Sequence, residues 1–274
     1  MTLETSPIYI LILLVAIGCA GGFLSGLLGV GGGVLFVPAL FFAMTALGFD
    51  PQHAMHIAVA TSLLIVFTTG STSAVSHYKR GGVDLGIVKS WALSILLGVA
   101  VGALFASSID GDILKRIFAG ITLLISAYMA FGREKTSGEG VAWLTLKVQR
   151  AFCIVIGMVS SMIGVGGAIL TVPMMSYSGL PMQKAVGTGA ALGIVISLPG
   201  TLGFMLSGML HDIEGLPPYS VGYVNFAAAA AIVPTAMLLA PVGVKISHAM
   251  PRLMLRRVFA AVLVIVSIRM FMSL

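Results

Sequence analysis

Ser25-Gly-Leu-Leu-Gly-Val-Gly-Gly-Gly33, followed by Val-Leu-Phe-Val-Pro38, decides how this chain is read. The pattern returns as Ser160-Ser-Met-Ile-Gly-Val-Gly-Gly-Ala168, followed by Ile-Leu-Thr-Val-Pro173, at an interval of 135 residues and without a gap. Each copy closes one apolar run and opens the next. Each is poor helix material, because a glycine destabilises a helix interior by about 1 kcal/mol relative to alanine. Two matched breaks in matched apolar settings imply two related halves.

The setting is a bilayer. The 274 residues are 58% hydrophobic and 9% charged, with a mean hydropathy of +1.10. A soluble domain carries about 25% charged residues, so a chain this poor in charge cannot cover a water-facing surface. The apolar runs are continuous, not alternating, which excludes an outer-membrane barrel and leaves strands unexpected. The net charge of +6 is read as loop charge. No basic, aromatic-interleaved surface supports a nucleic-acid partner. Two Cys residues make no disulfide framework. Met1–Pro7 lacks a basic region and contains Glu4, so no cleavable signal peptide is expected there.

Gly, Pro and charged residues divide the chain into helical segments near 8–28, 33–48, 55–77, 86–107 and 113–131, then 150–164, 168–179, 184–208, 221–242 and 256–272. The expected fold is therefore all-α and polytopic, with about ten membrane segments. A spanning helix needs about 20 residues, so 33–48, 150–164 and 168–179 read as half-helices or re-entrant pieces. With connections alternating between sides, all of the 15 basic residues except Lys115, Arg116 and Arg269 fall on one side. This positive-inside pattern puts both termini outside. Charge does not separate ten spans from eight plus two hairpins. The polar stretch 132–149 reads as a cytoplasmic linker between a first repeat, 1–131, and a second, 150–274.

Two further matches support the repeat. LKRIFAG (114–120) resembles LRRVFAA (255–261), and Gln52 and Ala54 match Gln183 and Ala185. Five segments per half is an odd number, so the second copy enters the membrane in the opposite sense. That gives an inverted-topology repeat, common in secondary transporters.

Where a helix restarts after a break, its first N–H groups are unpaired and carry the positive end of the helix dipole. Such an end suits an anion. The candidate substrate-binding residues are therefore Gly29, Gly31, Gly32 and Gly33 at the first break and Gly164, Gly166 and Gly167 at the second. Ser25, Ser160 and Ser161 lie one turn upstream as hydroxyl donors. The competing reading is close helix packing by small residues, as at Gly22, Gly26 and Gly29.

SGLLGVGGGVLFVP and SSMIGVGGAILTVP resemble the paired signature of the sulfite exporter TauE/SafE family. ATSLL (60–64) and AVGTGA (185–190) also resemble it, so the likeness spans the chain. It implies transport of a small sulfur-containing anion such as sulfite, sulfoacetate or another organosulfonate. Two departures stand out: Ala168 replaces the last Gly of the second motif, and Ser161 stands where the first half has Gly26.

Thr61, Ser62 and Thr188 are read either as hydroxyls facing a substrate cavity or as back-bonded to their own helices. Matching Thr61 to Thr188 needs a different interval from matching Gln52 to Gln183, by about one helical turn. Thr68, Thr69, Ser71 and Thr201 are expected to back-bond. Pro199-Gly200 is expected to kink its segment. His53 and His77 are placed at membrane edges, and His56 is the candidate proton carrier for coupling. Cys19 and Cys153 are nearly equivalent in the two halves and read either as buried small apolar residues or as thiols on an anion path. No cofactor is expected. No metal-ligand spacing or hydrolase triad is visible, and no Lys follows the glycines as in a phosphate-binding loop, so ATP-driven transport and enzymatic activity are disfavoured. The alternative function is an anion channel or passive pore, since glycine-lined breaks also occur in filters.

Overall fold

The computed structural model describes residues 7–28, 31–131, 146–211 and 215–272. Among them are ten helices: α1 (Pro7–Leu28), α2 (Gly33–Ala46), α3 (Pro51–Tyr78), α4 (Leu85–Ser108), α5 (Gly111–Phe131), α6 (Leu146–Met162), α7 (Ala168–Tyr177), α8 (Met182–Leu210), α9 (Phe226–Ala249) and α10 (Arg252–Phe271). Before α9 lies a hairpin of two two-residue strands, β1 (Ser220–Val221) and β2 (Val224–Asn225).

Several helix starts are written into the side chains. The Asp50 carboxylate accepts from the Gln52 N–H, with Pro51 at the first helical position of α3. Asp84 accepts from the N–H groups of Gly86 and Ile87 at α4. Asn225 accepts from Ala228 at α9. Such side chains satisfy donors that a helix cannot pair internally. The starts of α2 and α7 differ. Their N-caps, Gly32 and Gly167, have φ of 78° and 68° and make no side-chain cap. Left-handed backbone of this kind is nearly free of strain only for glycine.

Length sorts the helices. α1, α3, α4, α8 and α9 are long and apolar enough to cross a membrane. α2 has 14 residues and α7 has 10. At about 1.5 Å per residue they reach about 21 Å and 15 Å, short of a hydrocarbon core of about 30 Å.

Neither break continues its helix across. α1 descends along α9, with Gly22 on Ala236 and Gly26 on Ala240. At its end the Ser25 carbonyl accepts from Ser73, 3.4 Å away, and the Gly26 carbonyl lies 3.3 Å from His77 Nε2. Both partners belong to the last turns of α3. By Gly31 the chain is back beside Val66 and Thr69, nearer the middle of α3. α2 then returns toward the start of α3. The second break repeats this along other partners. α6 follows α4 as far as Ser161 beside Val99, turns through Gly164–Gly167, and α7 returns past Gly189 toward the start of α8.

The same packing occurs twice with the halves exchanged. α1 lies on α9 as α6 lies on α4; α2 on α3 as α7 on α8; α3 on α9 as α8 on α4. α3 packs on α8, and α5 on α10. The correspondence reaches single residues. A Cβ on Gly22 would strike Ala236, and one on Gly157 would strike Ile95. A Cβ on Gly243 would strike Phe23, and one on Gly102 would strike Met158.

The structure corrects the sequence-based segments at several boundaries: the third begins at Pro51, not 55, and the tenth at Arg252, not 256. The ninth begins at Phe226, not 221, because the unexpected hairpin occupies 220–225 and Asn225 caps the helix after it. That helix then runs through Pro241 to Ala249. α6 begins at Leu146, inside the stretch read as linker. The rest of that linker, 132–145, lies outside the described residues, as do Glu4 and Glu214.

Candidate functional site

The two reversals meet. A Cβ on Gly33 would sit 2.6 Å from the Gly164 carbonyl oxygen and 2.9 Å from the Val165 Cα. Gly33 must therefore stay a glycine, while its counterpart carries a methyl group. The explanation lies on the neighbouring helices. The Ala168 Cβ packs where Gly189 of α8 leaves room. At the matching place on α3 stands Ser62, whose hydroxyl donates to the Gly164 carbonyl at 2.9 Å. This bond ties a long helix of the first half to the second break.

The first break is held by α3. The Thr69 hydroxyl lies 2.9 Å from the Gly31 carbonyl and 2.8 Å from that of Ile65. Its bond to Gly31 was not foreseen, whereas Thr68, Ser71 and Thr201 bond back to their own helices as expected. At the second break the Val165 N–H donates to the Ser160 carbonyl at 3.1 Å, and the Gly166 carbonyl lies against Gly193 of α8. Gly29 lies outside the described residues.

The serines upstream of the breaks divide. Ser25 and Ser160 are fully buried, and neither hydroxyl has a hydrogen-bond partner among the described residues. Leaving a buried polar group unpaired costs about 1–3 kcal/mol, so matched orphans in both halves call for an explanation. Ser160 Oγ lies 3.6 Å from where a Cβ on Gly167 would stand, beside the uncapped start of α7. Ser161 is employed elsewhere: its hydroxyl donates to the Met158 carbonyl at 2.9 Å and lies 3.4 Å from that of Val99, within the α4–α6 contact.

Thr61 and Thr188 are paired by function. Thr61 Oγ1 accepts from the Asn225 N–H and Thr188 Oγ1 from the Asp84 N–H, each at 2.9 Å. Asn225 and Asp84 are the caps that open α9 and α4. The shared role identifies Thr61 with Thr188. The alternative interval, Gln52 to Gln183, applies only to the first turns, where α3 has one more turn than α8.

His56 is buried on α3, its ring stacked on Tyr223 at 5.0 Å between centroids. Nδ1 lies 3.0 Å from the Gln52 carbonyl, and Nε2 lies 3.1 Å from those of Ala106 and Ile109. These oxygens only accept. The neutral ring can donate to one set and the imidazolium to both. His53 lies 3.6 Å from Asp50 at an exposed helix start. His77 is buried against His248, Nδ1 to Nε2 at 3.2 Å, an association the sequence did not suggest. Cys19 and Cys153 are free thiols, half-buried and buried. No group of three metal-ligating side chains occurs among the described residues.

Two more orphan hydroxyls belong near the second break and were missed in the sequence. Thr171, in the first turns of α7, and Ser197, one turn beyond Gly193 on α8, are fully buried and unpartnered. An apolar helix gives no local sign of which hydroxyl will be left unpaired.

Residues 14–270 match the family described as Sulfite exporter TauE/SafE. The chain is similar to a probable membrane transporter protein of Haemophilus influenzae, 29% identical over 265 residues that cover 96% of this chain and 98% of the relative. A probable membrane transporter protein of Methanocaldococcus jannaschii is 28% identical over 280 residues, covering 98% of each chain. Another, YunE of Bacillus subtilis, is 25% identical over 273 residues, covering 93% and 95%. No solved structure matches the chain.

Proposed function

The chain belongs to the sulfite exporter TauE/SafE family, and from that premise we propose that it is a secondary transporter of a small sulfur-containing anion: sulfite, sulfoacetate or another organosulfonate. It is a multi-pass membrane protein, with five helices long and apolar enough to span, from a family of membrane transporters, not enzymes. The anion is held where the two reversals meet, near the middle of the bilayer. The observation that carries this reading is the pair of uncapped helix starts at Gly32–Gly33 and Gly167–Ala168, with Gly33 lying against Gly164. The Leu35, Ala168 and Leu170 N–H groups already donate to the carbonyls of Gly32, Gly166 and Gly167. The positive helix ends and the buried hydroxyls bind an anion without a fixed cation, and such a site releases its load.

The exchanged packing of the halves supports an inverted repeat, and the loop charges favour both termini on the outer side of a cell (inner) membrane. The two repeats, 1–131 and 150–274, interlock: α1 of the first lies on α9 of the second, and α6 of the second on α4 of the first. The remaining candidate residues, Gly31, Gly166, Thr61, Ser62 and Thr188, act here as the frame that shapes the breaks. His56 is the proposed proton carrier, because its ring satisfies all its carbonyl neighbours only when protonated.

Flux of sulfite, sulfoacetate, taurine, thiosulfate and sulfate into proteoliposomes tests this reading. A carrier gives saturable, mutually competitive uptake of at least one anion, and His56→Gln removes its dependence on an imposed pH gradient. Folded protein that moves none of the panel refutes transport. Flux that never saturates favours the channel alternative.

A further inference from the structure

We propose that the two breaks are not equal partners: the anion is held at the second, by the start of α7 with the hydroxyls of Ser160, Thr171 and Ser197, while the first is its filled structural counterpart. This rests on the transport reading and narrows its site.

The repeat correspondence supplies the comparison. The motif matches Gly32 with Gly167 and Phe36 with Thr171. The Thr61–Thr188 equivalence matches Val66 with Gly193, Thr69 with Ile196 and Gly70 with Ser197. At the first break the Phe36 ring lies against both Gly21 and Gly32, the Val66 side chain lies on Gly31, and Thr69 donates to the Gly31 carbonyl. That break is packed by an aromatic ring and a branched side chain, and its Gly31 carbonyl is paired, as the Gly164 carbonyl of the second break is by Ser62.

At the second break the ring is replaced by Thr171 and the branched side chain by Gly193. Ile196 is added, lying on Gly167, as are the Ala168 methyl and the Ser197 side chain in place of Gly33 and Gly70, and Val37 lies on Gly164. Three hydroxyls on the helices that form it, α6, α7 and α8, are fully buried without a partner among the described residues; on those around the first break the unpartnered ones are Ser25 and, on α9 beyond Gly243, Ser247. The Ser160 hydroxyl faces the uncapped start of α7. Thr171 and Gly193 in place of an aromatic ring and a branched side chain, the unpaired hydroxyls and a helix start together suit several acceptor oxygens on one small centre.

The donor set also limits the ligand. The described carboxylates, Asp50, Asp84, Asp110 and Asp112, all sit at helix starts. None is available to an ammonium group at the break. The site therefore takes an oxoanion such as sulfite and disfavours zwitterionic taurine.

The test is equilibrium binding of sulfite to the purified full chain, with thermal unfolding recorded without ligand. Ser160→Ala and Ser197→Ala are each expected to weaken sulfite binding about tenfold or more, as expected for a lost hydrogen bond to a charged group. Ser25→Ala is expected to stay within about twofold. Because the hydroxyls are unpaired without ligand, Ser160→Ala should not lower the ligand-free melting temperature, whereas a residue of purely structural use would. Should Ser160→Ala fail to fold, Ser160→Cys keeps the volume and removes a strong donor, with the same expectation. Equal losses from Ser25→Ala and Ser160→Ala, or none from Ser160→Ala and Ser197→Ala, overturn the inference while leaving transport intact. A wild-type protein that neither binds nor carries any anion of the panel overturns the transport reading beneath it.

Discussion

Thr61 and Thr188 look alike in sequence and prove alike in use, but not in the use a sequence suggests. A threonine in an apolar helix reads as a back-bonder or a cavity donor. Both instead accept a bond from the backbone of a cap residue that dips into the bundle. The cap residues are remote in sequence, so no local pattern could reveal the contact. The role yields a prediction. Thr61→Val keeps the shape and leaves the Asn225 N–H unpaired, which should destabilise the protein by about 1–3 kcal/mol. Thr188→Val should do the same through Asp84. Denaturant unfolding in detergent measures both, and a change within about 0.5 kcal/mol for both would refute the role. Ser161 shows the same gap: its position in the motif was legible, but its use in the α4–α6 contact depends on a helix about sixty residues away.

At the scale of elements, most of the architecture was legible because glycine, proline and charge punctuate an otherwise apolar chain. The start of α4 fell where Asp84 caps it, whereas that of α3, read at 55, lies a turn earlier at the Asp50-Pro51 cap. The hairpin before α9 was not legible: Val221 to Phe226 reads as more apolar helix until Tyr219 and Gly222 adopt positive φ. Nor could sequence decide whether the broken segments cross or turn back. The contacts of Ser25, Gly26 and Gly31 along α3 show the chain turning back at the first break.

The long sides of these reversals depend on glycine contacts with no spare volume. Gly22 and Gly157 lie directly on the backbones of α9 and α4. Gly22→Leu and Gly157→Leu should each remove most of the folded, monodisperse protein, since neither helix backbone can yield. Gly120→Leu, where a Cβ meets nothing within 4 Å, should be tolerated. Size-exclusion profiles of the three variants check this, and a normal profile for Gly22→Leu would contradict the packing.

At the scale of the whole molecule, a broken helical hairpin occurs in each half and the two reversals meet; the halves are proposed to insert in opposite senses. The repeat itself was legible from the paired motifs, while its inverted sense is an expectation from an odd segment count and the loop charges. Which reversal binds the anion was not legible, because the motifs are nearly identical and the difference lies in Phe36, Val66 and Gly70 against Thr171, Gly193 and Ser197. Everything proposed for the site depends on the opposite insertion of the two halves, and this can be measured at equivalent places in them. Leu47 caps the end of α2, and Ser178 caps the end of α7. With Leu47→Cys and Ser178→Cys made separately in a chain lacking Cys19 and Cys153, a membrane-impermeant maleimide is applied to intact cells. Opposite insertion predicts that position 47 is labelled from outside and position 178 only after the membrane is opened. Labelling of both positions from the same side would contradict it.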